Sequence, residues 1–392
     1  MEGITFERAI ELLTTNAAEI FDAEKVSLID SVGRVAAENY FATFDNPPFN
    51  RSPLDGYALK SSDTPGKFKI IGEECAGDFF SGEIKSGEAL RIMTGAAIPS
   101  GSDCVIRQED VKVDGEKIFV PYALKHHENF CFAGEDIKSG ALLVEKNSKL
   151  TAAHVAVLAS QGIASVKVFR QPKIAIASTG DELLQPGEKI SAGKIYNSNL
   201  FLLAGRLIEL GFAPKILGNL PDDADACAEK IFALRDEIDL LITTGGVSVG
   251  KKDIMHDVIK KIGRRIFWRV MMKPGAPVLG WTCGKFLGVA LSGNPFAALA
   301  TFELLVRPVL AKLSRREEIF YKRGRGILAD DFPKKSLGRR FIRAKFDGEK
   351  IFLPRRHESG SLYSAVDCNC LVDIPAGSEK LSAGAEVEII LL

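Results

Sequence analysis

Two glycine-rich segments carry hydroxyl and carboxylate side chains at a spacing that could bind phosphate. The first is Ser178-Thr179-Gly180-Asp181-Glu182, and the second runs Thr243-Thr244-Gly245-Gly246-Val247-Ser248-Val249-Gly250 up to Asp253. Glycines let a backbone approach a ligand closely, and amides at a following helix start favour an anion. The alternative is a turn that only stabilises a strand-to-helix connection. We favour phosphate binding, because the hydroxyls of Thr243, Thr244 and Ser248 flank the glycines and acids stand nearby. The segment is neither a Walker motif nor a dinucleotide fingerprint.

Two turns rich in proline and glycine suggest the rim of a site that also holds cations. Lys273-Pro274-Gly275-Ala276-Pro277 and Leu291-Ser292-Gly293-Asn294-Pro295 each follow a strand-like run. Pro295 suits the first turn of a helix. Arg269 and Lys273 add positive charge at this rim. For any single lysine, a solvated charge is the commoner alternative.

Two aspartates lie in densely punctuated segments nearer the N-terminus. Asp55 lies in Ser52-Pro53-Leu54-Asp55-Gly56-Tyr57, and Asp136 lies in Gly134-Glu135-Asp136-Ile137. Each could simply cap a turn. Carboxylates gathered beside a phosphate loop would instead hold Mg²⁺, which prefers oxygen ligands.

The elements that must position these residues fall into three stretches. Apolar residues at helical spacing, Phe6 to Ile20, predict a helix within 1–30, and helical spacing returns at 145–172. Between them, about 40–144, short apolar runs and turns predict a β-rich insertion. Val111 to Val120 alternates around Asp114-Gly115, which predicts a hairpin. The N-terminal region is therefore assigned to residues 1–172.

Residues 173–317 alternate strands and helices. Buried strands are predicted at Lys173–Ser178 and Asp239–Thr243, a hairpin within 278–291, and a closing helix at Pro295–Lys312. This pattern predicts a doubly wound α/β domain with a parallel sheet covered on both faces, whose ligand sites lie at the carboxyl ends of the strands. Residues 318–392 carry short strands and are predicted to form a small β-barrel. The fold class is therefore multidomain α/β.

Composition excludes several classes of function. The 392 residues hold 51 Lys plus Arg and 51 Asp plus Glu, so no net basic charge attracts nucleic acid or an anionic membrane. No apolar run approaches the ~18 residues of a membrane span. The seven cysteines are scattered and odd in number, which argues against a disulfide framework. With no signal peptide at the N-terminus, a cytoplasmic protein is expected.

Seven motifs, taken together and in this order, give the chain a resemblance. They are Ser-Pro-Leu-Asp-Gly-Tyr-Ala from Ser52, Arg-Ile-Met-Thr-Gly-Ala from Arg91, Gly-Glu-Asp-Ile from Gly134, Ser-Thr-Gly-Asp-Glu-Leu from Ser178, Thr-Thr-Gly-Gly-Val-Ser-Val-Gly from Thr243, Lys-Pro-Gly-Ala-Pro from Lys273 and Ser-Gly-Asn-Pro-Phe from Ser292. The series resembles the MoeA family of molybdopterin molybdenumtransferases, which are relatives of the gephyrin E domain. The resemblance covers nearly the whole chain.

The resemblance implies a transferase that acts late in molybdenum cofactor synthesis. Adenylyl-molybdopterin is the implied substrate, molybdate the co-substrate and Mg²⁺ the cofactor, and AMP is released as molybdate enters the dithiolene. By motif position the resemblance implies catalytic roles for Asp55, Asp136, Glu182 and Asp253, and metal binding by Glu182, Asp222 and Asp253. It implies substrate binding by Thr94, Thr179, Gly180, Asp222, Gly245, Gly246, Ser248 and Pro295. It implies molybdate binding by Arg269, Lys273, Ser292, Arg343 and Ser359. Around Pro221 the alignment is loose, so Asp223 is the alternative to Asp222.

Two positions depart from the pattern of the family. Ala276 stands where many members have lysine, which removes one cation, and Ser292 stands where proline often precedes Gly-Asn-Pro. The resemblance also implies an elongated homodimer with its site at the subunit interface, and possible contact with molybdopterin adenylyltransferase and molybdoenzymes. A scaffold that retains the fold, or a related enzyme such as a molybdopterin adenylyltransferase or a nucleotide amidase, is the alternative. The persistence of the acids favours catalysis over a scaffold.

Overall fold

The computed structural model describes residues 2–248 and 253–392, apart from the side chain of Glu2. The chain forms two compact units. The larger, unit 1, comprises Met1–Glu24 and Phe169–Leu392, and the smaller, unit 2, comprises Lys25–Val168.

Unit 1 contains a seven-stranded sheet whose centre is parallel. In spatial order the strands are Glu2–Ile4, Arg264–Val270, Leu279–Cys283, Phe286–Leu291, Leu240–Thr244, Ile174–Thr179 and Lys215–Leu220. Leu279–Cys283 runs antiparallel to both of its neighbours. It is the first strand of the predicted hairpin, whose second strand, Phe286–Leu291, begins the parallel part of the sheet.

Helices cover both faces of this sheet. Ile174 and Ile176 belong to one apolar cluster, and Ala175 and Ala177 to another. Since successive side chains of a strand point to opposite faces, the two clusters lie on opposite sides of the sheet. The doubly wound fold is confirmed. The helices are Phe6–Asn16, Ser198–Glu209, Ala224–Phe232, Met255–Ile262, Pro295–Thr301 and Arg307–Ser314, with a π-helical turn at Phe302–Val306 between the last two.

Five strands of unit 1 close into the predicted C-terminal barrel. They are Lys322–Leu328, Glu386–Leu391, Cys370–Ile374, Arg339–Phe346 and Lys350–Phe352, and the last pairs with the first. A short strand, Met272–Lys273, pairs with Arg339–Phe346, so that Lys273 lies opposite Arg340. This pairing fixes the barrel to a loop of the α/β domain.

Unit 2 consists mainly of strands. Its six-stranded sheet has the order Cys104–Arg107, Gly56–Leu59, Glu88–Ile92, Gly66–Glu74, Lys117–Val120 and Lys112–Asp114. The last two strands confirm the predicted hairpin. Leu142–Val144 pairs with Tyr40–Phe41, Ala23–Ser27 pairs with Ser165–Phe169 where the chain enters and leaves the unit, and Leu183–Leu184 pairs with Ile195–Tyr196 in unit 1.

The two N-terminal helical predictions were too long. Within 1–30 the α-helix covers only Phe6–Asn16, and within 145–172 it covers only Ala152–Ser160. Thr5 fixes the first start, because the backbone N–H of Arg8 donates to its Oγ1 at 3.2 Å. Strands flank both helices, and their partners lie far away in sequence. Within the described residues, no helix is long and apolar enough to cross a membrane.

Candidate active site

One cavity of about 1260 Å³ lies in unit 1, where the central strands of the sheet end. Its lining includes Thr179, Thr244 and Ser292, which end or follow three neighbouring strands, and residues of the C-terminal barrel. The structure places thirteen of the predicted site residues along it: Thr179, Gly180, Glu182, Asp222, Gly245, Gly246, Ser248, Asp253, Lys273, Ser292, Pro295, Arg343 and Ser359.

The glycine-rich loop is shaped by close backbone contacts. Gly245 and Gly246 have φ of 89° and 68°, a region that side chains disfavour. A Cβ on Gly245 would lie 2.6 Å from the carbonyl oxygen of Thr179. Its N–H donates to the carbonyl of Leu291 at 3.0 Å, so the loop is held against both flanking strands. Val249 and Gly250, which end the motif, lie outside the described residues.

Buried hydroxyls and amides support the floor of the cavity. Thr244 Oγ1 donates to Ser178 Oγ at 3.1 Å, which in turn donates to Asn197 Oδ1 at 3.1 Å. Asn199 donates from Nδ2 to the carbonyl of Gly293 at 2.8 Å, and its buried Oδ1 has no hydrogen-bond partner. Thr243 was expected to offer a hydroxyl, but it is fully buried and does not line the cavity, because alternate residues of a strand face opposite sides.

Three carboxylates form what we call the acidic set: Glu182, Asp222 and Asp253. Each comes from a different loop and lines the cavity. Asp222 Oδ2 accepts from the N–H of Asp181 at 3.0 Å. Asp223 instead caps the helix Ala224–Phe232, accepting from the N–H of Ala226 at 2.9 Å, and does not line the cavity.

The acidic set does not form a ready-made metal cage. Among the described residues, no group of three or more His, Cys, Asp or Glu side chains lies close enough to hold a metal ion. The expected three-carboxylate metal cluster is thus not assembled, because its members come from separate loops. Mg²⁺ is commonly held by one or two carboxylates, waters and substrate phosphates. The hard oxygen donors along this cavity fit that mode of binding.

Four cations form what we call the basic set: Lys273, Lys334, Arg340 and Arg343, all lining the same cavity. Arg343 is 1% exposed, and its guanidinium carbon lies 3.9 Å from the ring centre of Phe296. Its Nη2 donates to the carbonyl oxygens of Glu358 at 2.7 Å and Arg356 at 3.3 Å. Burial lowers the pKa of Arg343, yet a guanidinium stays charged at neutral pH.

Ser359 ties the barrel to the helix that follows Asn294. Its carbonyl accepts from the N–H of Phe296 at 2.9 Å, and its Oγ accepts from Asn294 Nδ2 at 3.2 Å. Arg269 was expected in this pocket but does not line it. Its φ of 64° turns the chain, and its guanidinium carbon lies 5.4 Å from the ring centre of Trp268.

The remaining predicted site residues belong to unit 2. Asp55 Oδ1 accepts from both the backbone N–H and the hydroxyl of Thr94, each at 2.7 Å. The backbone hydrogen bond from Thr94 is the main reason why the pKa of Asp55 is lowered. Asp136 Oδ2 accepts from Asn46 Nδ2 at 3.2 Å. The structure therefore brings Asp55 and Thr94 together and gives Asp136 a separate partner.

Three family models together match most of the chain. They describe the MoeA N-terminal region (domain I and II) at residues 4–162, a probable molybdopterin binding domain at 175–312, and the MoeA C-terminal region (domain IV) at 325–392. A molybdopterin molybdenumtransferase from Staphylococcus aureus is 34% identical over 401 residues, which cover 99% of this chain and 95% of the relative. The chain belongs to the MoeA family. A relative of the same name from Staphylococcus epidermidis is 33% identical over 402 residues.

Solved MoeA structures share the whole architecture. A molybdopterin biosynthesis MoeA protein from Pyrococcus horikoshii OT3 matches with a TM-score of 0.81 at 32% identity, covering 100% of both chains. A second structure from Pyrococcus horikoshii has a TM-score of 0.85 at 31% identity and covers 99% of each chain. The fold predicted from the resemblance is confirmed.

Several cavity residues of this MoeA-family chain were missed from the sequence. They are Asn197, Asn199, Lys334, Arg340 and His357. The first two stand in Asn197-Ser198-Asn199, a polar run before a helix, which was an available signal. The other three belong to the barrel region. Its register relative to the α/β domain depends on the pairing of Lys273 with Arg340, which the sequence around each residue does not predict.

Proposed function

We propose that this protein is a molybdopterin molybdenumtransferase that inserts molybdenum from molybdate into adenylyl-molybdopterin, with Mg²⁺ as cofactor and release of AMP. One observation carries the proposal: the acidic set and the basic set line one cavity of unit 1. A nucleotide anhydride needs its phosphate charge neutralised, and a free oxyanion needs cations. A single cavity with both sets suits a reaction between a nucleotide anhydride and an oxyanion.

In this proposal the glycine-rich loop and its neighbours bind the phosphates and the pterin. Gly245 and Gly246 allow backbone approach, and Ser248 and Thr179 offer hydroxyls. The unpaired Oδ1 of Asn199 is available to accept a hydrogen bond from substrate.

One or two carboxylates of the acidic set, Glu182, Asp222 and Asp253, would hold Mg²⁺ together with waters and the substrate phosphates. When bound, the ion neutralises charge that develops on the leaving phosphate. Asp222 is oriented for this by the N–H of Asp181. The carboxylates themselves orient the anhydride relative to the cations of the basic set.

The basic set would bind molybdate, a tetrahedral dianion. Arg343 is held rigidly by two carbonyls and the ring of Phe296, so little side-chain entropy is lost on binding. Ser292 and Ser359 line the same cavity and add hydroxyls. Tungstate resembles molybdate in size and charge and would enter the same pocket.

We further propose that Asp55, Thr94 and Asp136 act in the same reaction, and that the protein works as a cytoplasmic homodimer with its site at the subunit interface. The hydrogen bonds from Thr94 to Asp55 support a role for Asp55, since they keep its carboxylate ionised and oriented. Molybdopterin adenylyltransferase would supply the substrate, and molybdoenzymes would receive the product.

The test incubates purified protein with Mg²⁺, molybdate and adenylyl-molybdopterin, and measures AMP by chromatography and cofactor by reconstitution of an apo-molybdoenzyme. We expect AMP and active cofactor from the unmodified protein, and loss of both in Asp55→Ala and Glu182→Ala. Glu188→Ala is the control, since Glu188 does not line the cavity.

Two results would contradict the proposal. One is the absence of AMP from the unmodified protein under conditions where a known molybdenumtransferase releases it. The other is adenylyl transfer from ATP to molybdopterin, which would indicate an adenylyltransferase instead.

A further inference from the structure

The segment between the barrel strands Lys350–Phe352 and Cys370–Ile374 places a histidine in the cavity that no motif had singled out. His357 lies between Arg356 and Glu358, whose carbonyls both accept from Arg343. Two residues later, Ser359 is bonded to Phe296 and Asn294. The backbone on both sides of His357 is therefore anchored beside the cavity.

This corner of the cavity contains several buried nitrogen atoms without hydrogen-bond partners. They are Nδ1 of His357, Nε and Nη1 of Arg343, and Nε of Arg340. Leaving a buried polar group unpaired typically costs about 1–3 kcal/mol, and more for a charged group. Such groups in a native structure call for an explanation. Because His357 lines the cavity, rotation of its side chain alone would bring a ring nitrogen to a ligand oxygen there.

The charge of this corner selects the kind of ligand. Within residues 2–248 and 253–392, none of the four cations of the basic set forms an ion pair. The ring of Phe332 packs on this group, with the Arg340 guanidinium carbon 5.5 Å and the His357 ring 5.7 Å from its centre. The carboxylate of Glu358 lines the same cavity and offsets part of this charge, but the excess of cations around the apolar ring still favours a compact anion over a neutral ligand.

Another residue of the cavity lining offers no polar group. Ala276 lines the cavity with a methyl group only, where the MoeA pattern that this chain resembles often has a lysine. A dianion bound in this chain therefore needs hydrogen bonds from elsewhere. The unpaired nitrogens of the barrel are available for them.

We propose that His357 contacts the oxyanion substrate and, with Arg343, supplies the hydrogen bonding that Ala276 cannot. The inference rests on the proposed function in taking molybdate as that oxyanion. His357 is then a residue that contacts the oxyanion in this chain rather than a spacer between Arg356 and Glu358.

The experiment measures the affinity of the full-length protein for sodium molybdate by titration calorimetry. We expect His357→Leu to weaken binding ~10-fold, as for loss of one hydrogen bond to a charged group. His357→Gln keeps an N–H donor, so we expect it to stay within ~3-fold of the unmodified protein. His126→Gln is the matched control, since His126 belongs to unit 2 and bonds to Asp103 at 3.0 Å. Equal affinities of His357→Leu and the unmodified protein would overturn the proposal.

A rescue variant separates ligand contact from a merely structural role. Adding Ala276→Lys to His357→Leu should recover at least ~3-fold in molybdate affinity, because a charge-assisted contact is restored. No recovery would contradict the exchange of roles between positions 276 and 357. If His357→Leu lowers the melting temperature, His357→Ala, which also lacks a side-chain donor, repeats the comparison.

The outcome is independent of the AMP assay. Loss of molybdate affinity in His357→Leu, with no AMP release from the unmodified protein, would keep the oxyanion site and reject the transferase. AMP release together with unchanged molybdate affinity in His357→Leu would do the reverse.

Discussion

The acidic set and the basic set reach one cavity by different structural routes. Glu182 is exposed and Asp222 half-buried, and each stands on a loop that follows a strand of the α/β sheet. Arg343, in contrast, lies within a barrel strand and is almost fully buried. Mg²⁺ keeps part of its hydration shell in most protein sites, so solvated carboxylates can bind it. An oxyanion is bound best by hydrogen-bond donors that are already desolvated and fixed in position.

The largest effect should come from breaking the acidic set alone. We expect Asp222→Asn to reduce AMP release ~100-fold, because a carboxylate that faces the substrate phosphates loses its charge. Molybdate affinity, measured by calorimetry, should change less than ~2-fold.

Asp223→Asn is the matched control for that variant. Asn retains the capping hydrogen bonds to the helix Ala224–Phe232, so activity and melting temperature should be retained. Equal loss of activity in both variants would mean that this loop, rather than the carboxylate of Asp222, matters.

The converse change should weaken the oxyanion without affecting the nucleotide. In Arg343→Met the buried side chain keeps its approximate volume, and we expect molybdate affinity to fall by ~10-fold or more. Affinity for AMP, measured in the same instrument, should stay within ~2-fold. A parallel loss of AMP affinity would show that the two sets do not act separately.

Acidic pH tests how burial and the charges of the basic set act on the neighbouring His357. Burial, and then the charges of Arg343 and Lys334, lower the pKa of His357; Glu358 acts in the opposite direction, and Arg340 lowers the pKa further. A histidine whose folded pKa lies below its unfolded value, about 6.5, stabilises fully above that value and progressively less as pH falls through the folded pKa. Urea unfolding at pH 7.5 and 5.0 should therefore show a smaller acid loss in His357→Gln. An equal loss in both proteins would contradict the shift.

The smallest effect is expected at the rim. Ser292 Oγ accepts from the N–H of Asn294 at the long distance of 3.4 Å, so its hydroxyl is weakly committed. We expect Ser292→Ala to change molybdate affinity less than ~3-fold by calorimetry. A larger loss would identify the Ser292 hydroxyl as a direct contact to molybdate.

Features that depend on local chemistry could be predicted from the sequence, whereas features that depend on the tertiary structure could not. The glycine-rich loop could be predicted, because Gly245 and Gly246 are visible in the sequence and supply the backbone freedom that the loop requires. The backbone conformation of Arg269 could not be predicted: its φ is 64°, and its guanidinium carbon lies 5.4 Å from the ring centre of Trp268. His357 was invisible, because its place depends on barrel closure and not on its neighbours in sequence.

The fold shows the same division. The strand Ile174–Thr179 begins with four apolar residues in a row, so its sequence pattern identified it. The three-residue strand Glu2–Ile4 carries no such pattern. It exists because Glu2 and Ile4 pair with Trp268 and Val270 at the edge of the sheet.

That edge strand has a consequence for the order of events on the ribosome. Glu2–Ile4 is synthesised roughly 266 residues ahead of its partner strand, which corresponds to a wait of roughly 10 to 50 s at ordinary elongation rates. During that interval the segment has no sheet to join, while the whole of Lys25–Val168 emerges and can fold. The earliest part of the sheet to be made is therefore among the last to be incorporated, and a nascent chain stalled before Arg264 should leave it open to protease.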